Sequence, residues 1–359
     1  MKIAIFHDYF GAIGGGEKVV IEMAKILDAD IITTDTDAIK KIDPTVRVTS
    51  LGKTIHYPGL KQISATLKFY FCDFSKHYDL FIFSGNWAHY AAHRHYPNIW
   101  YCHTPVRAFY DNYADFLKSL PFFTRVLFAI YAFFFRWIDR RSVSRVDHII
   151  ANSRNTQTRI RQFYNRKSEI IYPPVDSSKF YFSEYGNFWL SVNRLYPEKR
   201  IELQIESFRA MPEQNLVIAG GFAQGDHAAA YAQKLKENIP KNITIAGEVQ
   251  EAELIRLYAH CRGLICTARD EDFGITPLEA MAAGKPVVAV NSGGYKETLT
   301  PQTGRLVSPD VPSIIDAVRT FSRDPECHKT ACVERAKVFD IRVFEREIRE
   351  QVNDKKQIS

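Results

Sequence analysis

Short apolar runs recur along this chain, separated by longer stretches of mixed polarity. In the first half the runs are KIAIFHD, DIITTD, VRVTS, DLFIFSG, NIWYCHT, DHIIANS and SEIIYPP. In the second half they are NFWLSV, NLVIAGG, NITIAGE, GLICTA, KPVVAV and TGRLVS. Runs of this length bounded by turn residues predict strands. Helical stretches stand between them, as in GGGEKVVIEMAKIL. Strand alternating with helix implies parallel sheets joined by helical crossovers. The segment YPPVD, Tyr172 to Asp176, carries two prolines that neither a helix nor a central strand tolerates, and it marks a domain boundary. The expected fold is α/β, with two Rossmann-like doubly wound parallel-sheet domains facing a cleft. The first domain is expected over residues 1–175 and the second over 176–338. The helical stretch FEREIREQV follows the second sheet. Ligands of such sheets gather beyond the carboxyl ends of the strands, which makes the loops there the candidates for chemistry.

The loop after GLICTA is the most informative. It reads RDEDFGITPLEAMAAGKPVVA, with Glu271 and Glu279 eight residues apart. TPLEAMAAG reads as a helix, with Thr276 as N-cap, Pro277 at the first position and Glu279 in a capping box. Ala280 to Ala283 are good helix formers and Gly284 is a C-terminal stop. On that reading Glu279 has a structural task, whereas Glu271 sits in the loop between Asp270 and Asp272 without one. A helix start attracts anions. A ligand carrying both phosphates and hydroxyls would use the free N–H groups for the first and the carboxylates for the second.

Other strand ends add candidates. Gly14, Gly15 and Gly16 open the helix after the first strand, outside the GxGxxG spacing of a dinucleotide fingerprint. They admit an anion close to the backbone, or they serve a turn that needs positive φ. His103 ends the strand YCHTP, as either a structural histidine or a cleft residue. Arg194 and Lys199 follow NFWLSV, either as solvated cations or as a diphosphate clamp that neutralises a departing nucleoside diphosphate. Gly247 to Val249 ends NITIAGEV, where a nucleobase could lie on main chain or where the glycine simply turns. Asp35-Thr36-Asp37 is a DxD triplet, read here as a solvated turn, and no metal is expected.

Charge and composition narrow the class. The chain is 46% hydrophobic and 25% charged, an ordinary globular composition. Residues 1–175 hold 23 Lys and Arg against 15 Asp and Glu, and the remainder hold 24 against 26. A basic N-terminal half suggests an anionic partner. Nucleic acid is not expected, because no zinc finger, RNP-type signature or dense basic tract is present. The six cysteines form no CxxC and read as reduced, mostly buried thiols. No signal-peptide pattern opens the sequence, and a cytoplasmic location is expected. Residues 116–138, FLKSLPFFTRVLFAIYAFFFRWI, hold a continuous apolar part from Val126 to Phe135. That is far short of the ~18–20 residues of a span. With Arg125, Arg136, Arg140, Arg141 and Arg145 nearby and Trp137 behind, the segment reads as one lying in an anionic membrane interface over residues 116–145. The alternative is a core helix.

Together, GGGEKVV, YCHTP, SVNRLYPEKR, EDFGITPLEAMAAGKPVVAVNSGG and TGRLV resemble the retaining GT-B glycosyltransferases of family 4, over nearly the whole chain. HDYF, YCHTPVRAFYD and the aromatic-basic segment resemble the branch that transfers mannose in surface-polysaccharide and lipopolysaccharide synthesis. The resemblance implies a role for each motif. Glu271 would bond the 3-hydroxyl of the transferred sugar, and Glu279 the ribose. Phe273, Gly274 and Ile275 would offer N–H groups to the sugar. Thr276 and the helix start would meet the diphosphate, with Arg194 and Lys199 opposite. Gly15 and Gly16 would close over the donor. His103 would contact the sugar near its 6-hydroxyl, and Asp8 would act as an acceptor-side base. Residues 339–359 would form a helix crossing back to the N-terminal domain, with hinge closure at YPPVD. The reaction implied is metal-independent transfer of a hexose with retention, without a cofactor. GDP-mannose is favoured over a UDP-sugar as donor, and the acceptor would be a lipid-linked or polysaccharide glycan at the inner membrane face. The alternatives are a UDP-sugar transferase of the same fold, a nucleotide-sugar 2-epimerase and a non-catalytic nucleotide-sugar-binding subunit.

Overall fold

The structure is a computed structural model, and it describes residues 1–10, 14–36, 39, 43–55, 57, 59–221, 228–235 and 237–356. The chain divides into two units, Met1–Tyr172 with Glu345–Ser359, and Pro173–Phe344.

In the first unit the strands are β1 (Ile3–His7), β2 (Asp30–Thr33), β3 (Val48–Ser50), β4 (Leu80–Ser84), β5 (Asn98–Cys102), β6 (His148–Ala151) and β7 (Glu169–Ile170). They form one sheet in the order β3-β2-β1-β4-β5-β6-β7, parallel throughout. The strands of the second unit are β8 (Phe188–Val192), β9 (Asn215–Ala219), β10 (Ile243–Gly247), β11 (Leu264–Cys266), β12 (Val287–Val290) and β13 (Gly304–Val307). Their order is β10-β9-β8-β11-β12-β13, again parallel. All thirteen apolar runs picked from the sequence become strands. The reason is visible in burial. β1, β4, β5 and β12 are buried at every position, as sheets covered by helices require. Phe6, Phe69, Phe81, Phe83 and Trp100 fill the first core. Trp189, Phe208, Ile218, Ile265 and Ile314 fill the second.

Strand order reverses between β1 and β4, and between β8 and β11. Each reversal leaves a crevice at the carboxyl ends of the two strands, because the crossovers on either side run in opposite directions. Those crevices hold the residues of interest below.

Several expectations need correction. The residues assigned to the C-terminal crossing helix were 339–359, but the second unit runs to Phe344. Val175 and Asp340 form a parallel bridge, and Phe339 packs on Phe273 at 5.5 Å, which ties the start of that segment to the second unit. Asp35 of the DxD triplet is not solvated. It is buried and accepts hydrogen bonds from the Thr54 amide at 3.0 Å and the Thr54 hydroxyl at 2.5 Å. Asp37 lies outside the described residues. The six cysteines are free thiols, four of them buried.

Residues 116–138 are not one helix. A helix Tyr113–Ser119 ends before Pro121, and a second runs Phe122–Val143. The longer helix has two apolar faces. Phe128, Tyr131, Ala132 and Phe135 join the core. Phe122, Phe123, Val126, Leu127, Ile130, Phe133, Phe134 and Trp137 are exposed, recurring at the three- and four-residue spacing of one helix side. The core reading therefore holds for one face of the helix, and the opposite face is exposed and apolar. Arg125 donates to the Leu117 carbonyl at 3.0 Å and Arg136 to the Phe109 carbonyl, so these two cap neighbouring turns. Arg140, Arg141 and Arg145 are exposed. Among the described residues, no helix is long and apolar enough to cross a membrane.

Candidate active site

In the second unit the site grows from the ends of β8 and β11. Thr267, just past β11, donates its hydroxyl to the Lys199 carbonyl at 2.7 Å. The Arg269 amide donates to the Glu198 carbonyl at 2.7 Å. These bonds draw the loop after β8 onto the loop after β11. As a result Lys199 Nζ meets Glu271 Oε2 at 2.7 Å, with both side chains about a fifth exposed. Burial works to lower the Lys199 ammonium, but the Glu271 carboxylate outweighs it and the net direction is upward. Lys199 is thus kept as an ammonium beside Glu271. Arg194 lies exposed on the same loop.

A second turn shapes Glu271. The Asp270 amide donates to Ser292 Oγ at 2.9 Å, and the Gly294 amide to the Glu271 carbonyl at 2.7 Å. A Cβ on Gly293 would lie 2.3 Å from the Glu271 carbonyl oxygen, and one on Gly294 would lie 2.4 Å from Phe273 Cα. Only glycine permits this approach. The Tyr295 hydroxyl reaches Glu271 Oε2 at 3.4 Å.

The helix at Glu279 starts earlier than its capping pattern suggests. It runs Ile275–Ala282 with Gly274 as N-cap, in the left-handed region at φ +95°. Thr276 is therefore inside the helix, and Pro277 stands at its third position, where a missing N–H still costs no intrahelical bond. Glu279 does not cap. It accepts from the Tyr258 hydroxyl at 2.7 Å. The expected stop is present. Gly284, at φ +72°, donates to Met281 and Lys285 to Ala280, which closes a Schellman motif. The helix start presents the amides of Ile275 and Thr276 without intrahelical partners, beside the Lys199–Glu271 pair.

Gly247 ends β10 at φ +73° with open space where a Cβ would stand. Its turn conformation alone accounts for the glycine. Val249 follows, half-buried.

In the first unit, His7 and Ser84 are register partners on β1 and β4. His7 Nδ1 lies 3.3 Å from Ser84 Oγ, and Ser84 Oγ lies 2.9 Å from His103 Nε2. A Cβ on Gly16 would rest 3.7 Å from the His103 ring, in ordinary contact. Neither Gly14, Gly15 nor Gly16 has positive φ, so the turn does not demand them. Burial lowers His103 to about 4, and burial followed by the nearby His103 lowers His7 to about 3.

Asp8 is placed differently from expectation. Its carboxylate accepts three amides, from Asn86 at 2.6 Å, Trp87 at 2.8 Å and Ala88 at 2.8 Å. Burial pushes its carboxyl up to about 6 against the pull of those donors. Asp8 thereby holds the turn after β4, which leaves its oxygens committed to main chain rather than to proton transfer. Among the described residues, no group of three or more His, Cys, Asp or Glu side chains converges as a metal site.

Sequence reasoning overlooked the supporting residues: Thr267, Ser292 to Tyr295, Tyr258, Ser84 and His7. The glycine pair in NSGGY was the one readable signal, since adjacent glycines at a strand end mark close backbone approach. The tyrosines and the serine pattern as ordinary core.

Two parallel α/β units, each with polar groups gathered at its switch point, have the architecture of the GT-B fold. The comparisons make this specific. The family profile for Glycosyltransferase Family 4 matches residues 13–179, and that for Glycosyl transferases group 1 matches residues 176–338. The chain belongs to the family 4-type GT-B glycosyltransferases. It is 25% identical to the alpha-1,3/1,6-mannosyltransferase ALG2 of Dictyostelium discoideum, over 90% of each chain. It is 33% identical to the O-antigen chain mannosyltransferase RfbU of Salmonella typhimurium, over 49% of this chain and 51% of that one. Among solved structures, Anabaena Alr3699/HepE in complex with UDP and glucose superposes with a TM-score of 0.79 at 20% identity, over 98% of this chain and 99% of that one.

Proposed function

We propose that this enzyme transfers mannose from GDP-mannose to a lipid-linked or polysaccharide glycan, with retention of configuration and without a metal ion. The Lys199–Glu271 pair beside the helix start at Gly274 carries the reading. A nucleotide-sugar needs cationic and N–H donors for its diphosphate and a carboxylate for its hydroxyls. Lys199, Arg194 and the amides of Ile275 and Thr276 supply the first. Glu271 supplies the second, with the amides of Phe273 and Gly274, and Glu279 takes the ribose. Gly247 and Val249 offer main chain to the base. In the first unit, His103 and the main chain at Gly15 and Gly16 are assigned to sugar hydroxyls. Catalysis then rests on positioning and on neutralising the departing diphosphate. Mannosyl relatives such as ALG2 and RfbU favour the mannose donor.

The exposed face of Phe122–Val143, flanked by Arg140, Arg141 and Arg145, is assigned to an anionic membrane surface where a lipid-linked acceptor would reside. Calorimetry with GDP, UDP, GDP-mannose, UDP-glucose and UDP-N-acetylglucosamine, in the presence of EDTA, tests the donor. Selective binding of the guanine pair is expected. A preference for uracil nucleotides keeps the site and overturns the donor. That second reading has its own support in the UDP of the Anabaena structure.

A further inference from the structure

The helix Leu60–Phe71 carries a second apolar row that the candidate site does not use. Ala65, Thr66 and Phe69 are buried on its inner side. Leu60, Leu67 and Phe71 are exposed and recur on the opposite side at the spacing of one helix face, with Phe71 65% exposed. Tyr70 borders that row and stacks on His93 at 4.2 Å. His93 ends the short helical turn Ala88–His93, and both Leu60–Phe71 and Phe122–Val143 pack against that turn. On its other flank His89 Nδ1 lies 2.9 Å from Ser142 Oγ, on the longer helix. Phe69 from one helix and Ala132 and Phe135 from the other join one core with Phe83 and Trp100, which are register partners on β4 and β5. The two helices therefore cover the same face of the sheet, and their exposed rows point away from it in the same direction.

Charge follows the same pattern. From Lys53 to Cys72 the chain holds three lysines, Lys53, Lys61 and Lys68, and no Asp or Glu. Lys61 Nζ lies over the Tyr9 ring at 3.8 Å, and Lys68 donates to the Leu51 carbonyl at 2.9 Å. Helical spacing puts both lysines along the flank of the row opposite Tyr70. Asp73, the first acid beyond the helix, accepts from the Ser75 hydroxyl at 2.7 Å. An apolar helix face edged by cations fits an anionic interface, and a monomer in water rarely exposes apolar patches beyond a few hundred Å². We propose that the outer side of Leu60–Phe71 is a second lipid-facing element, seated on the same anionic membrane surface as Phe122–Val143. The inference rests on the reading that Phe122–Val143 meets such a surface. It adds the second helix and, with it, the pose of the first unit. One row alone leaves the unit free to roll about the helix axis. Two rows on one layer define a plane, which sets the sheet along the surface with about 10 Å of helix between them.

The test is sedimentation of the full chain with vesicles of phosphatidylcholine and phosphatidylglycerol, and with phosphatidylcholine alone. Leu67→Ser together with Phe71→Ser is expected to lower partitioning about tenfold, the effect of roughly half immersing two side chains of this size. The melting temperature should hold, because both residues are exposed. Added to Phe123→Ser and Phe133→Ser, the losses should multiply, since both rows seat at once. In a Trp137→Phe background, Phe71→Trp should add fluorescence that brominated lipid quenches. A Leu67→Ser, Phe71→Ser protein that partitions like the wild type overturns the inference, and so does an unquenched Phe71→Trp signal. Either result leaves Phe122–Val143 on the membrane if its own serine variant still loses binding. A wild-type chain with no preference for the anionic vesicles sinks the membrane reading and this inference with it. Self-association that Leu67→Ser with Phe71→Ser abolishes would assign the row to a second copy of the chain and overturn the inference as well.

Discussion

Replacing Phe123 and Phe133 with serine should release the protein from anionic vesicles while leaving its fold alone. Phe123 is 83% exposed and Phe133 69% exposed, so neither contributes much to the core. Surface substitutions of this kind change stability by roughly 0.5 kcal/mol or less. In a membrane interface, by contrast, a fully buried phenylalanine is worth about 2–3 kcal/mol. If each ring is about half immersed, the pair contributes about 2 kcal/mol, or roughly a 30-fold loss of partitioning. The electrostatic share can be separated. Arg140, Arg141 and Arg145 are exposed, and each basic residue near an anionic surface contributes about 1 kcal/mol. Glutamine at all three should cost about 3 kcal/mol at low salt and much less at high salt, because exposed charges are screened. Sedimentation with vesicles of 30% anionic lipid, with neutral vesicles as control, measures both terms. Thermal unfolding of each variant checks the fold. Unchanged partitioning of the serine variant, with an unchanged melting temperature, would refute the membrane assignment and leave the exposed face for another partner.

Glu271→Ala should abolish transfer while far-ultraviolet circular dichroism stays native; normal turnover would remove Glu271 from the site. Gly293→Ala should destabilise the second unit by about 2–4 kcal/mol in urea unfolding, since its Cβ meets the Glu271 main chain at 2.3 Å and its φ is +59°. An unperturbed midpoint would show that the turn relaxes freely. Asp139→Ala should cost about 2–4 kcal/mol, because the carboxylate accepts from the Tyr110 and Tyr164 hydroxyls at 2.7 and 2.8 Å inside the first core. For pH, the folded protein holds His7 at about 3 and His103 at about 4, below the unfolded value of 6.5. The unfolded chain therefore binds protons first. Stability from these groups is complete above pH 6.5 and is lost as pH falls toward 4. The expected loss is about 2 kcal/mol at pH 5 for His7 and less for half-buried His103. Urea midpoints from pH 8 to 4.5, compared with a His7→Phe variant, check the sign.

Much of the fold was legible because burial on both faces forces continuous apolar strands, and continuous runs stand out against mixed helices. The polar site was legible in part. Glu271 and Lys199 showed as charges at strand ends without a structural task. The capping pattern at Thr276 misled because Thr-Pro-x-Glu is also a sequence that an already started helix accepts in its first turn. Asp8 misled because a carboxylate at a strand end looks the same whether it faces a substrate or three amides of a distant turn.

The sequence by itself determined what depends on neighbours along the chain: the thirteen strands, the glycine stop at Gly284 and the amphipathic spacing of Phe122 to Trp137. Only the tertiary structure decided which groups meet. Lys199 and Glu271 are 72 residues apart in sequence, and His7 and Ser84 are 77 apart. Their meeting depends on strand order, which places β8 beside β11 and β1 beside β4. The physical reason is that local propensity acts over a few residues. The partner of a polar side chain is set by the pairing of whole strands, through hydrogen bonds and buried area summed over each sheet.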